Sequence, residues 1–255
     1  MIVAILQARM SSSRLPGKVL RILCGKPMLL HQIERIQQSQ HIQKLVVATS
    51  EDPSDDVLAQ VCSAAGIAVY RGSLTDVLDR FYQAAQKYNA TQIVRLTGDC
   101  PLTDPEIIDQ VITTHLQGEY DYTSSALHPS YPDGLDAEII RMEALEIAWK
   151  DAKRKSEREH VTYYIYQHPE RFRLGEVCNP IDLSHLRWTV DEEEDFRLVD
   201  EIYRELYEKN RSFRMKDILA LCENKPELMK INSKFRRNEG LEKSLYEEKM
   251  HNWTI

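Results

Sequence analysis

The sequence predicts an α/β protein built on a mostly parallel, doubly wound sheet. Three observations carry this expectation. Apolar runs of strand length alternate with amphipathic helix-length runs through the first half of the chain. The first of these runs, residues 2–6, does not alternate with polar residues, as expected for a strand buried on both faces. A polar, hydroxyl-rich, basic loop follows it and leads toward a helix, the arrangement by which open α/β sheets bind phosphate at the carboxyl ends of their strands.

Taken in order, residues 2–6 form the first strand, the loop spans 7–17, and a helix begins after Pro27. Residues 44–50 form a second strand. Residues 54–65 form a helix that gathers Val57, Leu58 and Val61 on one face. A third strand at 67–70 ends at Arg71-Gly72, and Thr75 can cap a helix through Val77, Leu78 and Phe81. Residues 91–96 form a fourth strand. Asp104 caps the next helix, with Pro105 at its first position. The second half is less regular. Strands are expected at 120–123, 137–140, 172–177 and 186–190, and helices at 142–153, from 157 through 166, and at 192–209. From Asn232 the chain is polar and poor in apolar residues. It is expected to be one large domain to residue 230, followed by a polar, loosely packed or partner-contacting extension at 231–255.

Composition narrows the function classes. An apolar fraction of 42% supports a real core, and a net charge of −7 argues against a nucleic-acid surface. Five scattered cysteines show no zinc spacing and read as reduced thiols of a cytoplasmic protein. No apolar run is long enough to span a membrane, and the first run lacks the basic flank and cleavage site of a signal peptide.

The loop supplies Arg9, Arg14 and Lys18, with backbone N–H groups around Ser11, Ser12 and Ser13. Fixed donors and permanent cations are what a triphosphate requires. Neither GxxxxGK[ST] nor GxGxxG is present, so side chains and N–H groups of a longer turn would wrap the phosphates. The bland alternative is a solvated surface loop. The fourth strand runs into Thr97-Gly98-Asp99, which puts Asp99 at the ligand edge, beside a glycine that permits close approach. A carboxylate there suits Mg²⁺, which takes one or two carboxylates plus phosphate oxygens. Asp104 fits the helix-cap role better, leaving Asp99 free. Asp191 also ends a strand. It is either a second ligand or the cap of the helix that follows, with Glu194 completing a capping box and Asp195 solvated.

The segments L-Q-A-R-x-x-S-x-R-L-P-G-K at 6–18, R-G-S-x-x-D-V-L-x-R-F at 71–81, T-G-D-C-P at 97–101, P-D-G-L-D-x-E at 132–138, R-E-H-V-T at 158–162 and T-V-D-x-x-x-D-F at 189–196 together resemble the cytidylyltransferases that activate acidic sugars. The similarity is greatest to the spore-coat polysaccharide F branch and spans roughly residues 1–210. It implies a Rossmann-like nucleotidyltransferase domain (GT-A-like), CTP under the 6–18 loop, and Mg²⁺ between Asp99 and Asp191. The reaction implied is attack of a sugar oxygen on the α-phosphate with loss of pyrophosphate. Arg14, Lys18 and Asp99 match catalytic positions. Leu6, Ala8, Arg9, Ser13 and Thr97 match nucleotide-binding positions, and Arg71, Ser73 and Asp76 lie where the family closes around base and ribose. Tyr131, Asp133, Asp136, Glu138, Glu157 and His160 would face the acceptor. His160 also reads as a plain helix-surface histidine. These carboxylates line a carboxylated sugar poorly, so an amino or neutral sugar is the expectation. The partners expected are therefore CTP and a sugar acceptor, with no nucleic acid and no membrane; a homodimer is compatible with the reading. A nucleotide-sugar-dependent glycosyltransferase is the competing activity, but the chain lacks a strand-flanked D-x-D. A nucleotide sensor is a third reading, disfavoured because Lys18 and Asp99 are both present.

Overall fold

The computed structural model describes residues 1–252. Its centre is a seven-stranded sheet of β1 (Ile2–Gln7), β4 (Lys44–Ser50), β5 (Ala68–Gly72), β6 (Gln92–Thr97), β7 (Tyr122–Ser124), β8 (Glu138–Arg141) and β9 (Leu174–Glu176), in the order β5-β4-β1-β6-β8-β7-β9. Only β8 runs against its neighbours. A separate two-stranded ribbon, β2 (Ile22–Leu23) with β3 (Lys26–Pro27), joins the first loop to helix α1 (Met28–Ile36).

The winding explains the apolar runs. Strand β1 pairs with β4 on one side and β6 on the other, so both of its edges and both of its faces are covered. Alternate residues enter two cores. Ala4 and Leu6 face α1, α2 (Asp56–Ala64), α4 (Pro105–Gly118), α8 (Glu193–Leu206) and α9 (Met215–Asn224). Val3 and Ile5 face α3 (Val77–Lys87), α5 (Met142–Asp151) and α7 (Tyr163–Tyr166). The chain winds outward from β1 through β4 to β5, then returns to β6 on β1's other edge. The strand order therefore reverses between β1 and β6, where open α/β sheets leave a crevice for ligands.

Several elements differ from the sequence expectation. Asp76, not Thr75, caps α3, because its carboxylate accepts from the Asp79 amide at 2.9 Å. Residues 186–190 form no strand. They run beside the 132–134 turn, with a single bridge between Asp133 and Arg187, and Val190 N donates to Asp99 O. The helix expected from 157 through 166 is two: α6 (Lys155–Glu159) and α7, broken where Val161 adopts φ +37°. That is a strained conformation for a β-branched residue. Helix α8 is capped one residue later than expected. Glu192 and Asp195 form the capping box, and Asp195 is fully buried rather than solvated. The polar segment after residue 231 is tied down at Asn232, which is buried and donates to Arg187 O and Asp195. It then forms α10 (Glu239–Asn252).

Candidate active site

The loop after β1 and the loop after β6 meet at the reversal point. Gly98 N donates to Gln7 O at 2.7 Å, and a Cβ on Gly98 would lie 2.9 Å from that of Ala8, so only glycine allows this approach. The first loop is pinned at Met10, whose amide donates to the buried Asp55 carboxylate and whose carbonyl accepts from Ser12 and Gly17. Gly17, at φ +71°, then turns the chain so that Lys18 points inward.

Lys18 is the centre of the site. Only 7% exposed, it donates to Asp191 Oδ1 at 2.8 Å, Asp99 Oδ2 at 3.2 Å and Val190 O at 2.7 Å. Burial favours the neutral amine, but the two carboxylates outweigh it and hold the ammonium charged. Burial likewise works against the Asp99 carboxylate. Lys18, with hydrogen bonds from Thr97 and Cys100, overcomes it and keeps Asp99 ionised below the usual carboxylate range. Arg14 reaches Asp191 Oδ2 at 2.8 Å.

Behind Asp191 lies a charge cluster that the sequence reading missed. Arg187, buried, donates to Asp133, Asp191 and Asp195, each at 3.0–3.1 Å. Its signal in the sequence is a lone arginine inside the apolar stretch Leu186-Arg-Trp188. Because Arg187 is shared three ways, Asp133 is only partly compensated. Burial, with Asp136 nearby, pushes its carboxyl up to about 7.

A cavity of about 640 Å³ opens here. Ala8, Arg9, Ser13, Arg14, Lys18, Thr97, Asp99, Asp133, Asp136, His160 and Asp191, all selected from sequence, line it together. Other selected residues do not. Leu6 is in the core. Arg71 is bonded to Ser50 O and Asp52 O and paired with Asp56. Ser73 accepts from the Asp76 amide, and Asp76 itself is held by Arg158. Tyr131 donates to Gln110. Glu138 is bound by Arg95, Tyr122 and Thr162, and Glu157 accepts from Lys153 N, Arg154 N and the Arg154 guanidinium.

The carboxylates expected on the acceptor side are each paired with a cation. Asp133 is met by Arg187, Asp136 by Arg237, Glu138 by Arg95 and Glu157 by Arg154. Lys155, Arg236 and Lys243 line the same cavity, and so do Glu159, Glu239 and Glu247.

Among the described residues no group of three or more His, Cys, Asp or Glu side chains converges as a metal cage. Asp99 and Asp191 are carboxylates of the kind Mg²⁺ takes, one or two at a time with phosphate and water completing its shell; here Lys18 Nζ bridges them, and Arg14 and Arg187 also hold Asp191.

A family model described as "Cytidylyltransferase" matches residues 3–236. The chain belongs to the cytidylyltransferase family. It is 38% identical over 238 residues to an uncharacterized protein of Methanocaldococcus jannaschii, covering 92% of this chain and 96% of that one. It is 37% identical over 215 residues to the spore coat polysaccharide biosynthesis protein SpsF of Bacillus subtilis, covering 82% and 88%. Among solved structures, a cytidylyltransferase from Leptospira borgpetersenii superposes with a TM-score of 0.85 at 31% identity, over 89% of this chain and 96% of that one. The mostly parallel sheet and its flanking helices are those of a cytidylyltransferase with a Rossmann-like nucleotidyltransferase fold. Among the described residues, no helix is long and apolar enough to cross a membrane.

Proposed function

We propose that this cytidylyltransferase-family chain couples CTP to a sugar acceptor, releasing pyrophosphate, and serves surface-polysaccharide assembly in the cytoplasm. The observation that carries the reading is the convergence of Lys18, Asp99 and Asp191 at the point where the sheet's winding reverses, under a loop that carries Arg9, Arg14, Ser12 and Ser13. The similarity to SpsF supports the pathway, and the family description supports the nucleotide.

In this reading Arg9, Arg14 and the 8–17 loop hold the triphosphate, and Lys18 stabilises charge on the phosphates. Asp99 and Asp191 would hold Mg²⁺, which neutralises phosphate charge when bound. His160, which burial and the nearby Arg95 and Arg9 keep below its ordinary range despite Glu159, is neutral at physiological pH and offers the acceptor a hydrogen bond rather than a charge. The rest of the catalysis is positioning in a confined cavity.

Pyrophosphate release across four nucleoside triphosphates and a panel of neutral, amino and carboxylated sugars tests the reading. Turnover should appear with CTP and depend on Mg²⁺. Lys18→Ala should lower it by roughly 10²-fold or more, the scale of one lost charge-stabilising donor. Release with no sugar of the panel, or unchanged turnover in Lys18→Ala, overturns it.

A further inference from the structure

We infer that helix α10 is a hinged lid over the active site, latched at its far end onto α6. The inference rests on the reading of the cavity as the site of nucleotidyl transfer. The family match ends at residue 236, and α10 begins three residues later.

Placement is the first observation. Asn238, Glu239, Gly240, Leu241, Lys243 and Ser244 of this segment line the same cavity as Lys18 and Asp99. The helix therefore roofs the space into which both substrates must enter.

The second observation is how the roof is held. No residue from 239 to 250 is buried, and none belongs to either hydrophobic core. Polar contacts attach it to the body. The Glu248 carboxylate accepts from Ser156 N and Ser156 Oγ, each at 2.8 Å, at the start of α6. Ser244 Oγ meets His160 Nε2 at 3.1 Å and Glu159 at 3.3 Å. Glu239 pairs with Arg14 at 3.2 Å. An element with no buried residue from 239 to 250, tied down through part-buried polar contacts at its surface, sits toward the low end of the local stability scale.

The third observation is a hinge. Immediately before α10, Asn238 adopts φ +63°, and Gly240 follows with open space around it. On the near side, Arg237 is fixed to Asp136 and Tyr131 O, and Arg236 O accepts from Arg187. The chain is anchored up to 237 and latched by these polar contacts from 239 onward, so rotation at 238–240 lifts α10 as a unit. Opening admits CTP and the acceptor. Closure returns Ser244 to His160, completes the acceptor side of the cavity and excludes water from the transfer.

Glu248 lies outside the cavity lining, which makes the latch separable from the chemistry. Amide hydrogen exchange on the full chain reads the lid directly. Amides of 241–250 should exchange faster than those of β1 and β6 in the wild type. In Glu248→Ala they should exchange about tenfold faster still, the loss expected for hydrogen bonds to a charged group, with exchange in the sheet and the Tm unchanged. Glu248→Gln, which still accepts from Ser156, should fall between. In Glu248→Ala the acceptor KM should rise about five- to tenfold, while the affinity for CTP measured by calorimetry stays within twofold. Wild-type exchange in α10 as slow as in the sheet overturns the lid, and so does faster exchange in the variant with both substrate constants unchanged. A wild type that binds no nucleotide would instead remove the functional reading and leave the exchange result to stand on its own.

Discussion

At the level of single residues, the site is governed by which charge compensates which. Lys18 holds Asp99 and Asp191 together in a confined space, so replacing one carboxylate should cost function more than stability. Asp99→Asn is nearly isosteric. We expect metal-dependent turnover to be lost with the unfolding midpoint nearly unchanged; a collapsed fold with normal Mg²⁺ titration in the remaining protein would make Asp99 structural. Asp133 shows the opposite balance. Its folded carboxyl lies near 7, far above the value of about 4 in an unfolded chain. The folded state therefore holds the extra proton between those values. The associated stability is complete below about pH 4 and is lost as pH rises toward 7. Asp133→Asn should remove this component, so the variant-minus-wild-type unfolding free energy should grow in the variant's favour from pH 5 to pH 8 in urea titrations. A pH-independent difference would place the Asp133 carboxyl in the ordinary range.

At the level of elements, the turn at 132–135 does what a strand would otherwise do. Gly134, at φ +105°, lets the chain 186–190 pass close by: a Cβ there would lie 2.5 Å from Thr189 N and 2.6 Å from the Trp188 carbonyl carbon. Both are backbone atoms and cannot swing aside. Gly134→Ala should therefore destabilise the protein by more than about 2 kcal/mol, through strained φ and steric contact together, and move Asp191 with the displaced segment. Denaturant unfolding and CTP affinity on the same preparation measure both; a change below 1 kcal/mol with normal affinity would show that the segment relaxes. The elements read correctly from sequence were those with strong local signals. The apolar run of β1, the Asp104-Pro105 start of α4 and the long apolar face of α8 are examples. Residues 186–190 looked like a strand because Leu186, Trp188 and Val190 alternate with polar residues. In the fold all five residues are buried, Arg187 and Thr189 included, and the segment lies against the 132–134 turn instead of in a ladder. The cap of α8 shifted because Asp195 turns inward to Arg187, a partner invisible to any local rule.

Across the whole molecule, Arg187 joins parts of the chain far apart in sequence: the 132–136 turn through Asp133, the start of α8 through Asp195, the site through Asp191, and the C-terminal segment through Arg236 O. Arg187→Met would leave buried carboxylates without their cation, and the expected loss is about 3–5 kcal/mol. A loss under 1 kcal/mol in urea unfolding would mean that water or Lys18 takes over the role.

The sequence alone determined the parallel winding, the basic loop after the first strand and the carboxylate at the end of the fourth. Each is written in neighbouring residues: unbroken apolar runs, a cluster of permanent cations, an aspartate beside a glycine. What the tertiary structure decided was compensation and closure. Whether Asp136 or Glu138 presents charge to a ligand depends on Arg237 and Arg95, which are 101 and 43 residues away. Whether a polar tail is a free extension or a roof depends on where Ser156 and His160 come to rest. Electrostatic pairing acts through space over a few ångströms, and only the fold brings those partners within reach.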